Sequence, residues 1–225
     1  MFAPRLSIAK EKDTMEQPKF YEIIGRAMTQ WGDYGDILQH GMTDHLGPLN
    51  GRLRLERTGP FMPPITFPGI SDVVVSSAGR TLLKKSGLSG FTFKQVNKAR
   101  IVKLLWHEWD LTADAPAEYP ESGEPEDYIL ARRPSARVAG EMGDIWELLV
   151  PVTARTIILP RKKGEFFWRS YLDLSSWNGN DISRGAAAPG GYGSVFVAET
   201  AKLWFEKNLG DFVEFRELST SEPRP

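Results

Sequence analysis

The sequence predicts an α+β fold, a single domain with a mixed or mainly antiparallel sheet and a few short helices. Two observations carry that expectation. Short β-branched or alternating runs recur along the chain between turn residues, and two stretches read as strand, short helix, strand in the same order. The clearer stretch is Phe67–Phe93. Asp72–Val75 is a β-branched run, and Ser76-Ser77 supply capping hydroxyls for a helix. Ala78, Leu82 and Leu83 put apolar bulk on one face, and Lys84 and Lys85 suit the negative helix end. Gly87 ends the helix, and Phe91 and Phe93 alternate with polar residues as a second strand.

Gly193–Leu218 repeats this layout without a gap against Ser71–Val96. Val195 falls on Val73, Val197 on Val75, Lys207 on Lys85 and Phe215 on Phe93. A real duplication and a likeness shared by any two such units both remain open at this point. Two copies are too few for a solenoid.

The remaining elements follow in order. Lys19–Ile24 reads as the first strand, and Trp31–His45 as loop with one helical turn. Arg52–Arg57 alternates as a strand with Leu53 and Leu55 inward, and four prolines make Thr58–Pro68 a rigid loop. Arg100–Trp106 is apolar enough for a buried strand. Strand signals resume at Tyr128–Leu130, Ile145–Val152, Thr156–Leu159 and Phe166–Leu174, with Pro160–Gly164 a turn and Trp177–Gly193 a loop. About eight strands and two to four short helices are expected. Residues 1–18 are expected to be a flexible arm, 19–218 the domain and 219–225 a frayed tail, with Met15 an alternative start.

At 225 residues the chain can bury a sizeable core, and 41% hydrophobic with 25% charged residues is ordinary globular composition. A net charge of −1 gives no overall field toward nucleic acid or an anionic membrane. The absence of cysteine excludes disulfides, a thiolate nucleophile, thiolate zinc sites and iron–sulfur clusters. No apolar run reaches membrane-spanning length, and the N-terminus lacks the apolar centre of a signal peptide, so a cytoplasmic protein is expected.

Several constellations invite a chemical reading. His40 and His45, near Asp33, Asp36 and Asp44, fit no strong metal-ligand spacing, so no metal or cofactor is expected. His107 and Glu108, between Trp106 and Trp109, would point to opposite faces of a strand. The glycines of Gly185–Gly193 precede a strand rather than open a helix, the wrong order for a phosphate cradle. With three histidines and no nucleophile elbow, the sequence is read as a non-enzyme.

The most unusual stretch is Glu108–Asp127, with eight acidic residues and no Lys, Arg or His. Such a run is ordinarily a solvated loop. Its functional reading is a docking surface, in which carboxylates steer a basic partner and aromatics supply anchors. The residues assigned to that surface are Trp109, Glu118, Tyr119, Glu121, Glu124, Glu126, Asp127 and Tyr128.

Pro68, Gly69, Asp72, Val75 and Ser76, then Gly87, Leu88, Gly90 and Phe91, form one phrase. Val195, Val197, Glu199, Ala201, Lys202 and Trp204 form another. Together they resemble immunity proteins of bacterial polymorphic-toxin systems, nearest the double-CXXCG group. The resemblance is dense only at the ends of Pro68–Phe215, and the paired cysteines of that group are absent. Any metal role is therefore not carried over. The resemblance implies a cytoplasmic protein that neutralises a cognate toxin domain by direct binding, for example a basic toxin that targets nucleic acid. No nucleic acid or membrane is expected as a direct partner. The rival classes are an enzyme with a carboxylate-based site and a scaffold module without a toxin partner.

Overall fold

The computed structural model describes residues 18–43, 45–69, 71–159, 170–186 and 193–220. Nearly all of the expected arm, the turn at 160–164, the start of the strand expected from 166, most of the glycine-rich loop and residues 221–225 lie outside them.

The fold is α+β, with two large sheets and a small one around a shared core. The largest sheet contains β1 (Phe20–Gly25), β8 (Val152–Ile158), β9 (Ser170–Asp173), β10 (Ile182–Ala186), β11 (Val195–Ala198) and β12 (Val213–Leu218). Its order is β12-β1-β11-β10-β8-β9, antiparallel except between β10 and β8. The sheet curls until Leu172 N–H on one edge strand donates to Ser219 O beyond the other, at 2.8 Å. Phe20, Ala154, Leu172 and Phe196 fill the curl.

The second sheet is antiparallel throughout. It contains β3 (Ile65–Thr66), β4 (Val74–Ser76), β5 (Thr92–Gln95) and β7 (Ile145–Leu149), in the order β3-β4-β7-β5. The third pairs β2 (Arg54–Gly59) with β6 (Asn97–Lys103) in parallel. Helices α1 (Asp33–His40), α3 (Asp127–Leu130) and α4 (Ala136–Glu141) pack on this pair.

Helices α2 (Ser77–Lys85) and α5 (Glu199–Leu209) each connect two strands of a large sheet. The main core joins both sheets: Ile23, Ile182 and Val197 from one and Ile65, Val75 and Leu148 from the other, with Leu83 of α2 and Phe205 of α5. Burying a side chain such as Phe205 contributes about 1.5–3 kcal/mol.

The strand–helix–strand expectation holds in both places. Ser76 caps α2, its hydroxyl oxygen accepting from Gly79 N–H at 3.2 Å, and Gly87 has φ of 75°. The buried face of α2 differs from the expected one. Gly79 and Leu83 face inward, four residues apart, while Leu82 is 38% exposed. Gly79 passes so close to β3 that a Cβ there would lie 2.0 Å from Pro64 O. A hydrophobic count gives no weight to a glycine used for close approach, which misplaced the stripe by one residue.

Among the described residues there are twelve strands and five helices, more than expected. Trp31–His45 holds the two-turn α1 rather than one turn, because its buried face is completed by Gly35, Gln39 and His40, residues with no apolar signal. Tyr128–Leu130 belongs to a helical turn rather than a strand, as short apolar runs leave that choice open. The polar stretch before β7 contains α4, capped by Ser135 accepting from Val138 N–H at 3.3 Å. The run expected as loop from Trp177 contains β10, whose Ile182 and Ser183 are both fully buried.

Candidate functional site

The acidic stretch begins where β6 ends. The chain makes a 3-10 turn over Trp106–Glu108, with Trp106 buried and its ring 5.6 Å from Phe61. From Trp109 to Glu126 there is no regular element, yet the path is pinned at several points. Trp31 Nε1–H donates to Ala113 O at 2.9 Å, and the Trp31 and Trp109 rings are 5.7 Å apart. Tyr34 of α1 meets Tyr119 edge-on at 5.2 Å and Tyr128 at 5.9 Å, and its hydroxyl donates to Gly123 O. Such aromatic pairs add about 0.5–1.5 kcal/mol each beyond burial.

Local polar bonds finish the loop. The Asp110 carboxylate accepts from Thr112 N–H at 3.0 Å and its hydroxyl at 2.7 Å, which holds the Asp110 carboxyl below the usual range. Ser122 Oγ accepts from Glu124 N–H at 3.1 Å. Desolvation, followed by Tyr119, Glu124 and Glu126, pushes the Tyr34 phenol up.

The residues assigned from sequence fall into three roles. Tyr119 is 58% exposed, and Glu121 and Glu124 are exposed with no ion pair among the described residues. Glu126 and Asp127 are half-buried at the start of α3. Glu118 is exposed but bonded to Arg132 at 3.1 Å, which neutralises its charge locally. The two remaining aromatics support the loop from beneath. Trp109 is half-buried between Trp31 and Tyr128. Tyr128 is fully buried and is corrected from contact residue to internal pillar, since no partner could reach it. Burial pushes its phenol up to about 12, and its hydroxyl has no partner among the described residues.

Sequence reasoning missed Tyr34, which ties α1 to the loop. Asp33 and Asp36 are exposed on the same helix, and Asp36 lines a separate hollow with His40 and Phe67. Partial desolvation and then Asp33 raise the Asp36 carboxyl. The signal was present: Trp31-Gly32-Asp33-Tyr34-Gly35-Asp36 interleaves acids with aromatics as the loop does.

The other constellations are structural in their geometry. His40 is 6% exposed, and its Nδ1 accepts from Phe67 N–H at 3.3 Å. Burial, then Arg57, lowers its pKa to about 4. His45 Nδ1 lies 2.7 Å from the buried Glu56, which also pairs with Arg100 at 3.3 Å. No group of three metal-ligating side chains occurs among the described residues, which leave out Asp44. His107 and Glu108 do not diverge as on a strand, because the chain turns there. Their side chains are 4.0 Å apart, and the His107 ring lies 4.3 Å from Phe61. Of the glycine-rich loop, Gly185 N–H donates to Ser194 O at 3.0 Å, while 187–192 lie outside the described residues.

Open hollows of about 670, 610 and 390 Å³ are among those that indent the surface of the described residues. Four charged groups of the second are paired, Lys202 with Glu206 at 2.6 Å and Arg26 with Glu214 at 3.7 Å. In the first, Lys98 is held by Gly143 O at 2.8 Å and also by Ala139 O. No helix among the described residues is long and apolar enough to cross a membrane. Comparison with known proteins finds no family and no curated protein that matches the chain.

Proposed function

We propose that this chain is a cytoplasmic immunity protein that neutralises a cognate bacterial toxin by docking it on the acidic loop. The observation that carries the reading is Tyr119, an exposed aromatic flanked by the unpaired Glu121 and Glu124 and braced from beneath by Tyr34. A loop already pinned loses little entropy on binding, so its contacts convert efficiently into affinity. Carboxylates at the rim steer a basic partner, and a central aromatic anchors it.

The likeness of the two sequence phrases to polymorphic-toxin immunity proteins supplies the biological class. The expected partner is a basic toxin domain, such as one that acts on nucleic acid. Occupying its phosphate-binding cleft with carboxylates would block the substrate. The chain acts here as a binding protein rather than an enzyme.

Co-expression with the product of the adjacent gene tests the proposal. Rescue of growth together with co-purification of a one-to-one complex is expected. Continued toxicity with no complex overturns it.

A further inference from the structure

The likeness between the two strand–helix–strand units extends to the strands paired directly with them. In one sheet β3 pairs β4, placing Ile65 opposite Val75 and Thr66 opposite Val74. In the other, β10 pairs β11, placing Ile182 opposite Val197 and Ser183 opposite Phe196. Both β4 and β5 flank β7, as both β11 and β12 flank β1. The registers coincide: Glu147 lies between Val74 and Lys94, and Glu22 lies between Phe196 and Arg216.

Chemistry agrees with register. The two central strands read Ile-Trp-Glu-Leu-Leu and Phe-Tyr-Glu-Ile-Ile. Arg80 lies 3.7 Å over the Trp146 ring and 5.6 Å from Phe93. Lys202, its counterpart on α5, lies 5.1 Å from Tyr21 and 5.6 Å from Phe215. Ser76 N–H donates to Pro64 O at 3.2 Å, as Ala198 N–H does to Asp181 O at 2.9 Å.

Chain order then gives the unexpected result. Taken linearly, β1, β3, β4, α2 and β5 correspond to β7, β10, β11, α5 and β12 at nearly constant spacing. Yet β1 sits in the second set's sheet and β7 in the first set's. We infer that β1 with β3, β4, α2 and β5, and β7 with β10, β11, α5 and β12, are two copies of one unit that have exchanged their leading strands. The chain is thus a fused counterpart of a domain-swapped dimer. Each copy receives its central strand, bonded along both edges, from the other copy. Neither sheet is complete until both copies fold, so the exchange locks them into one cooperative body. The segments outside the duplicated frame, 26–64 and 97–144, pair through β2 and β6 as a third unit.

Two experiments on the full chain test this. In the first, the leading strands trade sequences: Phe20→Ile, Tyr21→Trp, Ile23→Leu and Ile24→Leu with Ile145→Phe, Trp146→Tyr, Leu148→Ile and Leu149→Ile. Equivalent slots take either strand, so a folded protein with a melting temperature lowered by roughly 10 °C or less is expected. A control chain trading β1 with the first five residues of β8 should not fold. If the first chimera is as unfolded as the control, the equivalence is wrong. In the second, Leu148→Ala is followed by hydrogen exchange. The slowest amides of α2 and α5 should both accelerate, by roughly thirtyfold or more and by the same factor. Acceleration confined to α2 and β5 would overturn the lock.

Discussion

His40 gives the fold a specific acid limit. The ring is buried, its Nδ1 accepts a backbone N–H, and burial with the nearby Arg57 lowers its pKa to about 4 from the ordinary 6.5. A base whose folded pKa is depressed stabilises the fold above the unfolded pKa and loses that contribution as pH falls. The window therefore runs from 6.5 down to about 4. Between pH 7 and 4.5 the linkage amounts to roughly 2 kcal/mol. Asp36 and Glu147, whose carboxyls are raised first by burial and then by Asp33 and Asp72 respectively, act in the opposite direction and blunt the total. A difference measurement removes them. Urea denaturation of the parent and of His40→Gln, followed from pH 7 to 4.5, isolates the histidine. The variant is less stable at pH 7, having lost a fitted ring, and its curve should be flatter by roughly 2 kcal/mol over the window. Parallel curves would refute the reasoning.

Three further outcomes follow from the packing. Gly79→Ala gains up to about 1 kcal/mol of helix propensity, but its methyl meets the Pro64 carbonyl, which already accepts from Ser76 N–H. A net loss of about 1–3 kcal/mol is expected, read as a lower melting temperature, and an unchanged or higher one contradicts it. Tyr128→Phe removes a buried hydroxyl without a partner among the described residues, so thermal stability should rise by the equivalent of about 1 kcal/mol. A loss of that size would reveal a partner for the hydroxyl. Trp31→Phe deletes the Nε1–H donated to Ala113 O, and amide exchange across residues 110–124 should quicken several-fold while α5 is unaffected.

The parts of the fold legible in the sequence are those where one face is buried against a regular partner. Asp72–Val75, the Ser76 cap, Gly87 and the matching run from Gly193 carry signals that depend only on near neighbours. The strands and helices that were missed bury residues of the wrong type for a pattern count. Gln39 and His40 complete α1, each satisfied by a bond that only the tertiary structure supplies, and Ser183 is buried inside β10. The exchange of β1 and β7 was illegible for another reason. Composition identifies a strand, but its neighbours are fixed by contacts remote in sequence.

The candidate site was legible as a composition and not as a surface. Eight acids in one stretch mark the loop, but the sequence does not separate Tyr119, which faces out, from Tyr128, which faces in. It also does not join Tyr34 of α1 to the loop, because that link is made across the fold. The loop lies outside the duplicated frame, so the two copies provide the scaffold and the connecting segment carries the proposed contact.

The central claim is that Tyr119 and the surrounding carboxylates dock a basic toxin. The direct measurement is a titration of the adjacent gene's product with the parent and with the Glu121→Lys, Glu124→Lys, Glu126→Lys triple variant, at low and high salt. The account predicts at least a tenfold loss of association rate for the variant at low salt, shrinking as salt screens the charges. Equal rates and equal affinity for parent and variant at both salt concentrations would contradict it.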